Sequence, residues 1–273
     1  MKLSKDGGIL MIHKLTEADR SEALTFLSIE PAINLFIIGD IEQDGFEKDF
    51  QEVWGDFDTQ NNIIGVLLRY NTSYIPYYKD QNFDPLPFLE IIKSDQEHTI
   101  VSGKESVINI FRPHLASYKC RNTYFCELQT SDKLIEYSLP IQIATEKDAP
   151  RISKLLNSIE EFSDTTSDSD NLARVISSGA GRVYYTESDD GMIKNVFQTT
   201  AENSISAMIV GVATRSDFRR QGLMSQSLSK LCRDLIEGEN KSLCLFYDNP
   251  EAGKIYHSLG FQPIDNWMML LKY

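Results

Sequence analysis

The chain has 273 residues, of which 41% are hydrophobic and 25% charged, and its formal net charge is −13. This length is sufficient for one large domain or two of ordinary size, and the composition is that of a globular protein. The acidic balance, with no basic stripe, argues against binding to nucleic acid, whose phosphates would repel the protein, and favours a cationic small molecule or a basic peptide as the partner.

Membrane insertion, disulfides and metal binding are not expected. No segment has the ~18 consecutive apolar residues of a membrane span, and the amino-terminal sequence lacks the apolar core of a signal peptide. We therefore expect a cytoplasmic protein. Cys120, Cys126, Cys232 and Cys244 show no CxxC spacing, and the last two lie in apolar stretches where a buried free thiol is the expected state.

The first half of the chain alternates predicted strands and helices. Residues 11–27 predict a short strand followed by a helix that opens at Thr16. Further elements are predicted, in chain order, as a helix at 33–42 and strands at 50–57, 62–70 and 99–104. The segment 70–88, which contains asparagines, several aromatic residues and two prolines after Pro76, predicts a loop or an edge strand.

The same pattern begins again near residue 130. Residues 139–156 predict a strand, a helix cap at Thr145 and a helix. A helix near 172–178 and strands at 182–187, 192–201, 206–214 and 241–247 follow. The last of these is almost continuously apolar, as strands of parallel sheets are. The repetition predicts an α/β (α+β) protein with a mixed, partly parallel sheet flanked by helices, and domains at residues 1–130 and 131–273.

The segment FRRQGLMSQ, residues 218–226, is a strand-to-helix turn. It follows the strand that ends near Thr214, and Met224, Leu228, Leu231 and Leu235 then recur at helical spacing. The first amides of such a helix have no intrahelical partner and point outward with the positive end of the helix dipole. The turn is therefore either an anion site or an ordinary solvated connection.

A second motif begins at Asn249. This residue predicts a helix cap, Pro250 the first helical position and Gly260 the end of the helix. Apolar side chains at helical spacing, namely Ala252, Ile255, Tyr256 and Leu259, then share one face.

These two motifs, in this order, resemble those of the GCN5-related N-acetyltransferases (GNAT), over residues ~130–273. The family pattern R/Q-x-x-G-x-G/A is similar to Arg219–Met224, and N-x-x-A-x-x-x-Y-x-x-x-G-F is present at Asn249, Ala252, Tyr256, Gly260 and Phe261. The amino-terminal half has neither motif. It resembles a degenerate copy of the same unit, as in tandem members of the family, and its expected role is to cover the acceptor side of the active unit or to mediate homodimer formation.

The resemblance implies acetyl-CoA as cosubstrate, with no metal, and the turn as the site of its pyrophosphate. The implied diphosphate contacts are the amides of Gln221, Gly222, Leu223, Met224 and Ser225, with Arg219 or Arg220 adding a charged hydrogen bond. Met224 departs from the family pattern, which has glycine or alanine there. The family also implies that Val212, Ala213 and Thr214 pair with the pantetheine arm, although the same residues could simply form a core strand.

Tyr256 matches the family tyrosine that protonates the leaving thiolate, and the alternative is a core tyrosine with its hydroxyl satisfied. Asn249 is first a helix cap and second a cofactor contact. A base is also needed for an ammonium acceptor, and Glu202 is the first choice, against the alternative of a solvated turn carboxylate. His257 receives no role.

The acceptor region of family members corresponds here to an acidic run. It contains Glu160, Glu161, Asp164, Asp168 and Asp170, which could recruit a cation or could be a solvated face. The sequence thus predicts acetyl transfer from acetyl-CoA to a primary amine, by direct attack in a ternary complex. The alternative is a protein that binds acetyl-CoA without turnover, as a sensor or an assembly module.

Overall fold

The computed structural model describes residues 11–159 and 167–272. Contacts divide the chain into two units, the first formed by Met1–Phe125 and Asp265–Tyr273 and the second by Cys126–Ile264. The last residues of the chain are thus part of the first unit, whereas the sequence-based ranges 1–130 and 131–273 group them with the second half. Those ranges remain a prediction about independently folding domains.

The first unit is a twisted sheet with helices on it. Its elements are β1 (Met11–Lys14), α1 (Arg20–Leu27), α2 (Leu35–Asp44), β2 (Gln51–Phe57), β3 (Ile63–Tyr70), β4 (Ser73–Tyr78), α3 (Leu86–Ser94), β5 (Ile100–Lys104), α4 (Glu105–Phe111), β6 (Lys119–Leu128, which enters the second unit at Cys126) and the end of β12 (Gln262–Leu271). The strand order is β1-β2-β3-β4-β5-β12. Only β4 and β5 are parallel among these neighbours.

The second unit repeats this order of elements. It contains β7 (Gln142–Ile143), α5 (Ala149–Leu156), α6 (Ser169–Ser178), β8 (Val183–Glu187), β9 (Ile193–Thr200), β10 (Ser206–Thr214), α7 (Leu223–Glu239), β11 (Ser242–Tyr247), α8 (Pro250–Ser258) and the start of β12. The strand order is β7-β8-β9-β10-β11, with the end of β6 beside β11. Strands β10 and β11 are parallel, and the other neighbours from β7 to β10 are antiparallel. The predicted fold class is confirmed.

The helices of the second unit bury the apolar side chains that recur at helical spacing. Leu228, Leu231 and Leu235 of α7 are buried, as their spacing predicts. They pack in one core cluster with Tyr256 of α8 and with Leu259, the C-cap of that helix. The sequence predicts these two residues on one apolar face. A separate core cluster lies under α5 and α6. Cys232 and Cys244 are buried free thiols, as predicted.

Strand β4 corrects one prediction. The segment around Pro76 was expected to be a loop or an edge strand, yet β4 lies between β3 and β5. The strand tolerates proline because its pairing with β5 covers only Ser73↔Ile100 and Tyr74↔Val101, so Pro76 lies beyond the last pair and a missing amide donor breaks no ladder to β5. In the described part of the chain, no helix is long and apolar enough to cross a membrane.

Candidate active site

The candidate site lies where β10 and β11 separate. The two strands pair in parallel from Ser206↔Ser242 to Ile209↔Leu245. Beyond this point β10 continues to Thr214 and β11 to Tyr247. The carboxyl ends of two parallel strands therefore diverge, and this is where ligands bind to open α/β sheets.

A β-bulge in β10 lies at the same point. The pairing of β10 with β9 shifts between Val210 and Ala213, and Gly211 has a left-handed φ of +58°. A Cβ atom on Gly211 would be 2.3 Å from Nε2 of Gln198, which is the end of a flexible side chain, so the left-handed conformation is the main reason for glycine at this position. The sequence analysis missed this bulge, although a glycine within a strand is its usual signal.

The three strand residues expected to pair with pantetheine are placed differently from one another. Ala213 is 3% exposed and belongs to the core under α5 and α6. Val212 is half-buried and packs against the core on the α7 side. Among the described residues, none forms a hydrogen bond with the buried hydroxyl of Thr214, and the Thr214 carbonyl accepts one from Nε of Arg219 at 3.1 Å.

The turn from β10 to α7 has two left-handed residues. Arg220 has φ +63°, and Gly222, the N-cap of α7, has φ +72°. Gln226 makes the first backbone hydrogen bond of the helix, to the Gly222 carbonyl at 3.2 Å. The amides of Leu223, Met224 and Ser225 therefore have no partner within the helix, and no side chain caps it. Exposed amides near left-handed residues at a helix start form an anion-binding concavity.

Two features of this turn bear on diphosphate binding. A Cβ atom on Gly222 would meet nothing within 4 Å, so the space beside the N-cap of α7 is open. Met224, the departure from the family pattern, is half-buried and packs against the core cluster that contains Leu228. Its side chain thus occupies the protein interior and leaves the amides accessible.

Tyr256 and Asn249 occupy the two expected positions on α8. Asn249 is the N-cap, and its Oδ1 accepts a hydrogen bond from the Glu251 amide at 2.9 Å. Tyr256 is 6% exposed, and its ring lies 5.8 Å from that of Tyr247 at the end of β11. Burial raises the pKa of Tyr256 to about 12, so the phenol is neutral near pH 7. Among the described residues, its hydroxyl has no hydrogen-bond partner.

Glu202, the expected base, lies at the opposite end of these strands, where β10 and β11 begin. It precedes β10, and its carboxylate pairs with Arg182 at 3.0 Å and with Lys241 at 3.4 Å, at the start of β11. Its side chain is only 7% exposed. β10 begins at Ser206, after Glu202, and runs a further ~10 Å to Ile209, where it separates from β11. This placement argues against Glu202 as the base, and against the alternative of a solvated carboxylate.

The acidic run is only partly within the described residues. Glu160, Glu161 and Asp164 lie outside them. Asp168 is the N-cap of α6 and accepts a hydrogen bond from the Asp170 amide at 3.1 Å. His257, to which no role was given, hydrogen-bonds with the Tyr247 hydroxyl at 2.8 Å and with the Phe261 carbonyl at 3.0 Å.

Aromatic side chains surround the position in the first unit that corresponds to Tyr256. Phe111 lies seven residues after the N-cap Lys104 of α4 (111 − 104), as Tyr256 lies seven after Asn249 (256 − 249). Phe83, from the loop after β4, stacks on Tyr78 with ring centroids 3.7 Å apart and lies 5.9 Å from Phe111. The first unit thus has phenylalanine at the tyrosine position and a cluster of aromatic rings next to it.

Comparison with known proteins supports the family resemblance. Residues 193–270 match the family model described as FR47-like protein, which is related to GNAT. This segment includes the bulge, the turn and both motifs. No curated protein sequence matches the chain.

Solved structures share the fold over nearly the whole chain. A tandem GNAT protein from the clavulanic acid biosynthesis pathway has a TM-score of 0.63 at 12% identity, with 97% of this chain and 98% of that chain covered. A GCN5-related N-acetyltransferase from Sphaerobacter thermophilus has 0.62 at 14%, with 99% and 96% covered. A Drosophila protein has 0.72 at 12%, with 97% and 99% covered. The chain therefore has the GNAT fold in a two-unit form, which confirms the predicted resemblance.

Replacing Gly222 with valine tests the anion site at the start of α7. The new side chain enters the open space beside the N-cap of α7, next to the amides, so acetyl-CoA binding should weaken by roughly tenfold or more, which isothermal titration calorimetry measures. Gly179→Val is the matched control, because Gly179 has the same φ of +72° and no atom within 4 Å of its Cβ position. Both variants should lose ~1–2 kcal/mol of stability from backbone strain. Equal affinity in the two variants would remove the anion-site assignment.

Replacing Glu202 with glutamine tests its structural role. The change removes one of the two carboxylates that pair with Arg182 and Lys241 and leaves Glu239 as the other, so the free energy of unfolding should fall by only ~1 kcal/mol. Turnover should stay within about twofold of the original. Denaturant unfolding and steady-state kinetics on one preparation check both values, and a large loss of kcat with unchanged stability would restore Glu202 as the base.

Proposed function

We propose that the second unit is an N-acetyltransferase that moves the acetyl group of acetyl-CoA to a primary amine. The observation that carries this proposal is the separation of β10 and β11 beyond Ile209 and Leu245, with the open amides of α7 after one strand and the buried phenol of Tyr256 beside the other. The likeness to acetyltransferase folds supports acetyl transfer in general. The donor and the acceptor class are part of the proposal.

Each element of the site has a separate task. The amides of Leu223, Met224 and Ser225, with the Arg220 guanidinium, would hold the diphosphate at the start of α7. Val212 and Thr214 border the separation of the strands and would contact the pantetheine arm through their backbone. Met224 is compatible with this arrangement, because its side chain packs into the core.

The chemistry is a direct attack of the neutral amine on the thioester carbonyl carbon. The C–N bond forms, the C–S bond breaks, and the amine loses a proton. Since Glu202 is held in ion pairs at the other end of the strands, we assign both protons that the nitrogen loses to solvent water, the one that leaves the ammonium before attack and the one that leaves the nitrogen after the C–N bond has formed. The departing thiolate takes the phenolic proton of Tyr256, and the phenolate recovers a proton from water afterwards.

The raised pKa of Tyr256 is consistent with this transfer. A phenol with a pKa of about 12 would be a weak acid toward a thiolate in water, whose thiol has a pKa of ~8.5. Burial disfavours the thiolate as well, and it raises the pKa of the Cys126 thiol in the same core cluster to about 11. In a site that excludes water, the pKa values of donor and acceptor would therefore be close.

A module that binds acetyl-CoA without turnover is the second candidate. The placement of Glu202 favours it, because the carboxylate chosen as the base is not at the site. Thiol release from acetyl-CoA in the presence of polyamines, aminoglycosides, amino acids and other amines separates the two functions, provided that calorimetry shows binding. Binding with no thiol release for any amine would favour the binding module, and no binding would contradict both.

Replacing Tyr256 with phenylalanine separates its catalytic role from its packing role. The ring is kept and the hydroxyl has no partner to lose, so stability should change little, whereas kcat should fall by roughly 10²-fold with acetyl-CoA affinity unchanged. Tyr184→Phe is the control. Its hydroxyl binds Asp234 at 3.1 Å in the same core, so it should lower the melting temperature and preserve kcat. Normal turnover of Tyr256→Phe would withdraw the catalytic assignment.

A further inference from the structure

A pocket of about 610 Å³ opens in the first unit, on the face of the sheet that carries α3. Its walls come from β2, from the end of β3 with the turn to β4, and from the end of α3 with the residues that follow it. Tyr74 of the lining lies near the start of β4, where β4 pairs with β5. The pocket is therefore at the amino-terminal ends of the parallel strands, whereas the candidate active site of the second unit is at the carboxyl ends of β10 and β11.

The pocket follows from the short length of α3. This helix connects β4 to β5, as α7 connects β10 to β11, but it has nine residues against 17. The twelfth residue of α7 (234 − 223 + 1) is Asp234, which accepts a hydrogen bond from Tyr184 of β8 at 3.1 Å, so the second half of α7 covers its sheet. Since α3 ends at Ser94, Trp54 of β2 is only half-buried and lines the opening.

Three aromatic rings line the pocket. The ring of Trp54 lies nearly parallel to that of Tyr74, with centroids 6.5 Å apart and planes inclined by 23°. The Tyr74 hydroxyl donates a hydrogen bond to Oδ2 of Asp95 at 3.1 Å, which fixes this ring and the carboxylate next to each other. Phe50, directly before β2, is the third ring and is half-buried. The faces of aromatic rings carry partial negative charge and attract cations.

The charged residues of the lining are mostly acidic. Arg69 is the one cation, and its guanidinium is already engaged: Nε donates to Glu52 at 2.8 Å, and the other two nitrogens donate to backbone carbonyls of residues 49, 50 and 71. Lys14, from outside the lining, donates to the other oxygen of Glu52 at 2.7 Å. These two cations are thus not available to an anionic ligand. Against Arg69 the lining has four carboxylates, those of Asp49, Glu52, Asp95 and Glu97.

Three of these carboxylates form no ion pair with a described residue, namely those of Asp49, Asp95 and Glu97. Asp95 is nevertheless held in place, because its Oδ1 accepts a hydrogen bond from the Glu97 amide at 2.9 Å and its carbonyl is bound by the ring of His98. Lysines at neighbouring positions lie outside the lining, namely Lys48, Lys93 and Lys272. The pocket therefore presents unpaired negative charge beside aromatic rings.

We propose that this pocket binds a small organic cation with alkyl groups on its nitrogen, that is, a quaternary or tertiary ammonium ion. A primary ammonium has three N–H donors that need acceptors, whereas each oxygen of Asp95 and of Glu52 already accepts a hydrogen bond. An alkylated ammonium interacts with rings and carboxylates through its charge and its apolar surface, as aromatic sites for quaternary ammonium ions do. The inference is independent of acetyl transfer and gives the first unit a ligand of its own.

Three ligands of matched shape test this class: choline, 3,3-dimethyl-1-butanol, which has carbon in place of the nitrogen of choline, and ethanolamine, which has no methyl groups. The full chain is titrated without acetyl-CoA, at constant ionic strength, and the Trp54 indole N–H signal is followed by ¹⁵N NMR. Choline should give a saturable shift at millimolar concentration and should bind about fivefold or more tightly than either of the other two.

Two variants locate the site. Trp54→Leu removes one of the two indole signals of the protein, which identifies it, and should weaken choline binding about fivefold or more, as measured on the Glu97 amide signal. Glu97→Gln removes the charge of an exposed side chain that has no partner among the described residues, and it should weaken choline binding about threefold. Glu146→Gln is the matched control, an exposed carboxylate of the second unit outside the lining, and should leave the affinity unchanged.

Each outcome decides the inference. The absence of a saturable shift with choline, or equal binding of 3,3-dimethyl-1-butanol, would overturn the cation site. Ethanolamine binding as tight as that of choline would overturn the alkylated class, and equal affinities in Glu97→Gln and Glu146→Gln would overturn this pocket as the location. If Trp54→Leu does not fold, the three ligands and the two glutamine variants still decide. None of these results depends on whether the second unit transfers acetyl groups.

Discussion

The candidate site depends on one constraint, the short length of the parallel pairing between β10 and β11. After Ile209 and Leu245 the two strands no longer form a ladder, so the backbone groups beyond need other partners. The bulge at Gly211 increases this effect, because an extra residue bends the strand and interrupts its pairing with β9. The side-chain hydroxyl of Thr214, near the end of this strand, is also buried with no hydrogen-bond partner among the described residues. A ligand that lies along this strand would complete the hydrogen bonding.

The first unit shows what happens when the same constraint has another solution. Its parallel pair β4 and β5 also stops early, after Tyr74 and Val101. There the following loop supplies Phe83, which stacks on Tyr78 and lies 5.9 Å from the tilted ring of Phe111, and the tyrosine position of α4 has no hydroxyl. The two halves of the chain thus share a fold and differ at the residues that would make it a transferase. These differences are the sense in which the amino-terminal half is degenerate.

The apolar periodicity of the sequence, with its helix caps and turn glycines, was sufficient to predict the fold and part of the site. The apolar spacing of α7, the cap at Asn249 and the glycine at 222 are local signals, and each has the expected place in the structure. Pro76 was misinterpreted, and the ion pairs of Glu202 could not be predicted, because the surroundings of these two residues are not local. The ladder beside Pro76 ends early, and Glu202 meets Arg182 and Lys241, which are 20 and 39 residues away in sequence.

Charge gives a last reason to assign the turn before α7 to an anion. A protein with a net charge of −13 repels an anionic cofactor at long range, so binding needs a local concentration of positive potential. Arg220 supplies it at a cost, because a non-glycine residue in the left-handed region is strained by ~1–2 kcal/mol. Three of the other four non-glycine residues with positive φ are asparagines, which tolerate that conformation well. Arg220 is exposed and, among the described residues, has no ion-pair partner. A strained backbone at an exposed arginine, two residues before the N-cap of a helix with uncapped amides, is therefore best explained by a ligand that the arginine would bind.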